Sequence, residues 1–162
     1  MFKRLVFFLV TVFIVLSANS QVVHKGVKAP DFKLYNLKGN SSTLKTYSNK
    51  VVVIKMWFTT CAPCIQEISK VNKVVEKYKN REDIVFLAPA PNSKKTLKKF
   101  LRKADFDYEV MSGSYEMLKV YNPVRRYPSH VIIDKKGVVS FVLEGSSENI
   151  DEILTTEIEK VL

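Results

Sequence analysis

Residues 51–67 read VVVIKMWFTTCAPCIQE, in which a β-branched apolar run leads into Cys61 and Cys64. These are the two cysteines of the chain, and two residues separate them. An apolar run of this kind is typical of a central strand that helices cover on both faces. The residues after the pair show helical periodicity. We therefore expect the dithiol where a buried strand ends and a helix begins.

The spacing of the two cysteines favours thiol–disulfide exchange. A sulfur at the start of a helix lies over the unpaired amides of the first turn, where the helix dipole stabilises a thiolate. Cys61 is therefore the predicted nucleophile, and Cys64 is the predicted resolving thiol that attacks a mixed disulfide at Cys61. Pro63 suits the first turn, where its missing N–H costs no hydrogen bond. The redox group would be the Cys61–Cys64 disulfide itself, with no added cofactor.

Two structural roles compete with exchange at this pair. A purely structural disulfide is disfavoured, because so short a loop removes little entropy from the unfolded chain. A tetrahedral zinc site needs four ligands, and the chain offers Cys61 and Cys64 with His24 and His130 as its histidines. We therefore expect no bound zinc.

The first twenty residues have the pattern of an export signal. Residues 1–4 form a short basic stretch that contains Lys3 and Arg4, and residues 5–16 are almost all apolar. Residues 18–20 are small or polar residues of the kind that a signal peptidase recognises. We expect cleavage after residue 20, which leaves one domain over residues 21–162. The apolar run of about 12 residues is shorter than the roughly 20 of a bilayer-spanning helix, so a retained anchor is the weaker interpretation. In an oxidising compartment the dithiol is free for a reversible cycle.

Charge and composition exclude some classes of partner. The chain carries a formal charge of +10, of which Lys3 and Arg4 belong to the leader, so +8 remains after cleavage. The lysines are scattered over predicted helix faces, as in residues 94–99, and form no basic motif interleaved with aromatics. We therefore expect no nucleic-acid binding. A chain of this length can bury the core of one domain, and we expect a monomer.

Periodicity along the rest of the chain predicts an α/β fold. The alternation in residues 31–37, the turn at Gly39 and the return over residues 41–44 predict a short N-terminal hairpin. Strands and helices then alternate, which implies parallel strands with crossover connections in a central mixed sheet flanked by helices. The further predicted elements are a helix ending near Asn80, a strand over 84–88, a helix capped by Asn92 or Ser93, a hairpin of strands 131–133 and 138–143, and a final helix over 150–161.

Five stretches of the sequence form a pattern. They are Ala29-Pro30-Asp31-Phe32 with its hairpin, Trp57 four residues before Cys61-Ala62-Pro63-Cys64, Glu67 three residues after the second cysteine, Tyr127-Pro128-Ser129, and Val131 to Gly137. Together these stretches resemble the exported TlpA/ResA-like thiol–disulfide oxidoreductases, a redoxin branch of the thioredoxin-like superfamily. The resemblance extends from about Lys28 to Leu162.

The resemblance implies a thioredoxin-like fold and roles for several residues. It implies that the peptide bond before Pro128 is cis, and that Pro128 and Tyr127 hold an extended client segment beside the dithiol. Trp57 would shield the dithiol, with Pro63 and Glu67 in support. The family usually reduces client proteins, apocytochromes c among them, with electrons from a membrane protein.

Two positions depart from the family pattern. Many members carry a buried acid where this chain has Lys55, and that acid assists deprotonation of the second thiol. Lys55 could favour a thiolate by its charge, but we expect its ammonium to reach solvent, because long cationic side chains do so readily. Some relatives have a glutamate where this chain has Ala62, which leaves proton transfer to Glu67 or water. An ordinary acid in the first turn of a helix is an equal interpretation of Glu67.

Proteins of the same fold offer two alternative functions. Exported copper chaperones bind Cu(I) through two cysteines and a distant histidine, which here would be Cys61, Cys64 and His130. Their cysteines are normally three residues apart rather than two, so copper delivery is the alternative and not the main prediction. A peroxidase of the related peroxiredoxin group is disfavoured, because Phe58 stands where that group has a threonine.

Overall fold

The computed structural model describes residues 23–162, in which the apolar run before Cys61 forms a fully buried strand. Valine and isoleucine suit such a strand because their branched side chains pack well on a pleated surface. Within the described residues, the strands are β1 (Lys33–Asn36), β2 (Ser41–Thr43), β3 (Val51–Met56), β4 (Ile84–Pro89), β5 (Glu109–Ser112), β6 (Ser129–Ile133) and β7 (Val139–Glu144).

These strands form one mixed sheet in the order β2-β1-β5-β4-β3-β6-β7. Strand β3 pairs in parallel with β4 and antiparallel with β6, and β4 pairs in parallel with β5. The N-terminal hairpin β1–β2 lies at one edge of the sheet, and β7, paired with β6, forms the other edge. The structure therefore confirms the predicted α/β architecture with its N-terminal hairpin.

Helices cover both faces of the sheet. They are α1 (Ala62–Gln66), α2 (Ile68–Tyr78), α3 (Lys94–Leu101), α4 (Tyr115–Tyr121) and α5 (Ile150–Glu159), with a 3-10 helix at Leu44–Tyr47. On one side, which we call the first face, Val51 and Val53 of β3 pack in a core with the buried residues of α2, α3 and α5 and with both cysteines. On the other side, the second face, Val52 and Ile54 pack with α4 and the segment before β1.

The start of α3 agrees with its predicted cap. Ser93 is the N-cap residue, and its hydroxyl accepts a hydrogen bond from the Thr96 amide over 3.3 Å. Such a side-chain oxygen satisfies one of the amides that the first turn leaves unpaired. Asn92, the other predicted cap, instead accepts a hydrogen bond from the Thr59 amide over 3.0 Å, which ties this turn to the loop before Cys61.

Three features differ from the sequence prediction. Strand β5 and helix α4 were not predicted, because a four-residue strand and a seven-residue helix are too short for a clear periodicity. The helix predicted to run from the dithiol to Asn80 is interrupted at Glu67, where α1 ends and α2 begins. The break gives Glu67 a position between two helices.

The predicted export signal, residues 1–20, lies outside the described residues and stays a prediction. Among residues 23–162, none of the helices combines the length and the apolar character that crossing a membrane requires.

Candidate active site

Cys61 and Cys64 form a disulfide at the start of α1, with their Cα atoms 5.3 Å apart. Cys61 is the N-cap residue of this helix, and its sulfur accepts a hydrogen bond from the Cys64 amide over 3.3 Å. Pro63 lies in the first turn, as predicted. The Cys61 residue is 5% exposed, whereas Cys64 is completely buried. An outside disulfide can therefore approach Cys61 and not Cys64.

The peptide bond between Tyr127 and Pro128 is cis, as the resemblance implied. Pro128 directly precedes β6, whose Ser129 pairs with Met56 at the end of β3. The loop to the dithiol leaves from that same end, so the cis proline and the dithiol lie at one end of the sheet. The Tyr127 ring also packs edge-on against Phe58 of that loop, with ring centroids 5.1 Å apart.

A groove opens beside this pair of rings. It encloses a cavity of about 270 Å³ with a mainly apolar lining and two cations, and its lining residues are Phe58, Pro91, Tyr115, Leu118, Lys119, Arg125 and Tyr127. A mainly apolar concavity with a few polar groups is the usual form of a binding site. Tyr127 thus belongs both to the cis-proline turn and to the wall of the groove.

Trp57 is completely buried in the core that contains both cysteines. Its indole N–H donates a hydrogen bond to the Ala88 carbonyl over 3.2 Å. The indole packs against Phe100 and Phe106, with ring centroids 5.2 Å and 5.0 Å away. Trp57 therefore belongs to the packed layer beneath the dithiol.

A cluster of three buried polar side chains lies on the first face of the sheet. Lys55 of β3 and His130 of β6 are direct cross-strand partners, so their side chains project from the same face. The Lys55 ammonium donates a hydrogen bond to Oε1 of Glu67, and Nε2 of His130 lies 2.9 Å from that same oxygen. Lys55 and His130 have no exposed surface, and Glu67 keeps 4%. We call Lys55, Glu67 and His130 the buried triad.

The prediction for Lys55 was wrong. Its ammonium does not reach solvent, because β3 is covered on both faces and Glu67 supplies a counter-charge inside the protein. Burial of a charge becomes tolerable when the charge is paired and hydrogen-bonded.

The interpretation of Glu67 as an ordinary first-turn acid was wrong as well. Glu67 is the C-cap residue of α1 and lies within the protein, against β3 and β6. The link to His130 crosses 63 residues of chain, and no local pattern in the sequence indicated it.

The surroundings of the triad shift the pKa of each member. Burial lowers the pKa of Lys55, although the Glu67 charge opposes that shift. Burial works to raise the pKa of Glu67, but the hydrogen bond from His130 and the charge of Lys55 together hold it below its usual value. Burial lowers the pKa of His130, so its neutral form is favoured. The lowered pKa values of Glu67 and His130 favour a carboxylate beside a neutral imidazole, and the Lys55 ammonium pairs with that carboxylate.

A metal-binding role gains no support from this arrangement. In the described part of the chain, no three His, Cys, Asp or Glu side chains come together in a way that could hold a metal ion. His130 directs Nε2 to Glu67 and lies in a strand under the helices.

Comparison with known proteins identifies the family. The model of the AhpC/TSA family matches residues 25–142, which is more than half of the chain. The chain belongs to the AhpC/TSA family. It is 30% identical over 126 residues to the thioredoxin-like protein YneN of Bacillus subtilis, covering 76% of this chain and 74% of that protein. It is 29% identical over 132 residues to the thiol-disulfide oxidoreductase ResA of Bacillus thuringiensis, covering 80% and 76%.

A solved structure of similar fold supports the same placement. A thiol:disulfide interchange protein, DsbE, of Chlorobium tepidum superimposes with a TM-score of 0.76 at 26% identity, covering 86% of this chain and 98% of that one. The fold is thus thioredoxin-like. The Cys61–Cys64 disulfide and these relatives together identify this AhpC/TSA family member as a protein-disulfide oxidoreductase.

Proposed function

We propose that the protein is exported and reduces disulfides in client proteins through Cys61 and Cys64. The observation that carries the proposed exchange is the unequal exposure of the Cys61 and Cys64 residues at the end of the sheet that also has the Pro128 turn and the apolar groove. An accessible first cysteine over a helix start suits attack on a client, and a buried second cysteine suits an internal resolving step.

The first step forms a mixed disulfide. In the reduced protein, the Cys61 thiolate attacks one sulfur of the client disulfide. A new bond joins Cys61 to that sulfur, and the other client sulfur leaves with the electron pair of the broken bond and takes a proton from water. The helix start at Ala62 stabilises the Cys61 thiolate through its unpaired amides.

The second step releases the client. Cys64 loses its proton and attacks the Cys61 sulfur, which re-forms the internal disulfide, and the second client sulfur leaves as a thiolate. The protein is now oxidised by two electrons and the client is reduced. Because Cys64 is completely buried, its proton needs an acceptor within the protein, and we assign that role to Glu67, three residues further along the chain.

Tyr127 and Pro128 would hold the client. An extended client segment would lie against the cis-proline turn, with an apolar side chain in the groove between Phe58 and Tyr127. The export pattern of residues 1–20 supports action outside the cytoplasm, and we propose that the protein acts there as a monomer. There, a membrane protein would return electrons to the disulfide, and apocytochromes c are candidate clients.

The test is insulin reduction by the mature domain with dithiothreitol. We expect activity in the wild type and none in Cys61→Ser, because the attacking sulfur is gone. Cys64→Ala should instead accumulate a mixed disulfide with its client, which non-reducing electrophoresis detects. The Cys61→Ser/Cys64→Ala double variant is the matched control and should trap nothing. A Cys61→Ser variant that kept full activity would refute the proposal.

The direction of electron transfer between the protein and its client can be measured separately. Equilibration of the dithiol in graded redox buffers gives its reduction potential, and a value near or below about −230 mV indicates a reductant. A value near about −120 mV would mark the protein as a disulfide donor and overturn the proposed direction.

A further inference from the structure

The buried triad is more elaborate than a single proton acceptor requires. Two side chains from neighbouring strands, Lys55 and His130, converge on one oxygen of Glu67. The second oxygen, Oε2, is buried and has no hydrogen-bond partner among residues 23–162. A buried carboxylate oxygen without a partner is costly, and natural proteins satisfy most such atoms. An unpartnered oxygen next to a redox site therefore needs an explanation.

The position of Glu67 in the chain places its side chain on the same side of α1 as Cys64. Helical side chains point back toward the helix N-terminus, over the residues three and four positions earlier. Glu67 closes α1, and Cys64 is three positions earlier on the same helix. Lys55 and His130 approach Oε1 from the sheet below. Both donors from the sheet thus share Oε1, and Oε2 is the carboxylate oxygen that they leave for another partner.

We propose that Lys55 and His130 are positioning residues for the resolving step, which hold Glu67 ionised and oriented so that Oε2 accepts the proton of Cys64. This inference rests on the proposed exchange function. Lys55 contributes a positive charge that an ionised Glu67 needs in a buried site. His130 contributes a neutral N–H donor that fixes the orientation of the carboxylate.

The proton balance of the step involves the other groups around Glu67. Cys64 gives its proton to Oε2 as its sulfur attacks Cys61, and Lys55 and His130 remain as they were. Glu67 lines a cavity of about 250 Å³ that Lys70 and Glu148 also line, so the proton can pass on to water there. Burial, and to a smaller extent the Glu67 charge, raises the pKa of the Tyr108 hydroxyl, which therefore stays protonated and does not compete for the proton.

The experiment uses 5,5′-dithiobis(2-nitrobenzoate) as a small disulfide and follows thionitrobenzoate release by stopped flow. The first release reports attack by Cys61, and the second reports resolution by Cys64. At a high concentration of the reagent, the first phase is complete before the second begins. The two phases test the two proposals separately. Absence of the first phase in the wild type would contradict the exchange function. An unchanged second phase in the triad variants would contradict this inference.

Lys55→Met should slow the second phase at pH 7 by about tenfold or more, within the range that a proton acceptor contributes. Without the ammonium, the pKa of Glu67 rises, so at a given pH a larger fraction of the carboxyl is protonated and cannot accept a proton. The midpoint of the pH dependence of the second-phase rate should therefore move to higher pH. The rate of the first phase should change by less than about threefold. Val53→Ala, on the same face of the same strand, is the matched control and should leave the midpoint unchanged.

His130 gives a second test that does not depend on folding of the Lys55 variant. His130→Leu should slow the second phase, and His130→Gln, which keeps an N–H donor at a similar reach, should restore most of the rate. If His130 only supported the fold, His130→Gln would not be expected to restore the second-phase rate, and His130→Leu would not be expected to shift its pH midpoint. A second phase in Lys55→Met or His130→Leu with the wild-type rate and midpoint would overturn the inference.

Discussion

The two faces of strand β3 are equally buried but differ in chemistry. On the second face, Ile54 and Met56 pack in a core of apolar side chains. On the first face, Lys55 lies between them in sequence and is just as completely buried, yet it carries an ammonium group against Glu67. One face is stabilised by removal of apolar surface from water, and the other face also contains an ion pair that must balance its own desolvation.

The difference shows where this fold tolerates charge. The ion pair lies on the face that carries α1 and the dithiol, and the second face at the same level of β3 has none among residues 23–162. Buried pairs often add little stability compared with apolar side chains of similar volume. We therefore expect the second face to stabilise the fold and the triad on the first face to serve the chemistry of Cys64.

The largest expected effect is that of Lys55→Met on stability. Removal of one partner leaves Glu67 as an uncompensated buried charge, which costs about 3–5 kcal/mol. The pKa of Glu67 then rises above its unfolded value, so the variant is least unstable at low pH and loses stability as the pH increases. Urea unfolding at pH 5 and pH 8 measures the effect.

The pair can also be removed as a whole. Lys55→Met/Glu67→Leu should recover most of the lost stability, because no unpaired charge remains. Its resolving step should stay slow. If the double variant were as unstable as Lys55→Met at pH 8, the account of the first face would be wrong.

Ile54→Ala tests the second face of the same strand. We expect a loss of about 2–5 kcal/mol from the lost burial and the cavity that remains. The core of the second face consists of apolar side chains and a few tyrosines, whose hydroxyls do not ionise between pH 5 and pH 8. The loss should therefore be the same at pH 5 and pH 8, measured by urea unfolding as for Lys55→Met. A pH-dependent loss would show that the two faces are not independent.

His130 should make the stability of the wild type depend on pH. Its pKa is lowered in the folded protein by burial, so the unfolded chain binds the proton more readily. The stability that neutral His130 contributes is present above about pH 6.5 and is lost as the pH falls toward the lowered value, by up to about 1.4 kcal/mol per pH unit. His130→Gln should flatten this slope between pH 6.5 and 5, and the exposed His24→Gln should leave it unchanged.

The smallest expected effect is that of an exposed ion pair on α4. Lys119 and Glu116 are one turn apart, with 2.7 Å between the Lys119 ammonium and Oε1 of Glu116, and both side chains are exposed. Water and salt screen such a pair, so Lys119→Met should change the free energy of unfolding by no more than about 0.5 kcal/mol. A cost that approached that of Lys55→Met would remove the contrast between buried and exposed pairs.

Much of the fold could be predicted because its signals are local. The alternation before Gly39 predicted the N-terminal hairpin, and the apolar run before Cys61 predicted a strand covered on both faces. The strand β5 and the helix α4 were missed, since elements of four and seven residues contain too few periods to recognise. The break at Glu67 was missed because both helices it separates fit one continuous pattern.

The candidate site likewise contains residues that local sequence predicts and residues that it does not. Cys61, Cys64 and Pro63 were placed correctly from spacing alone, since the chemistry of a dithiol at a helix start depends on neighbours within one turn. Lys55 was placed wrongly because its expected environment was water, and only the approach of Glu67 makes its burial possible.

The sequence by itself determined the mixed α/β architecture and the position of the dithiol at the start of a helix, because periodicity and spacing act over one or two turns of chain. Only the tertiary structure decided that Lys55, Glu67 and His130 meet. Their contacts join residues 12 and 63 positions apart and depend on the register of β3 with β6. Charges in a buried site are set by whatever the fold brings within hydrogen-bond distance, and no local pattern records that distance.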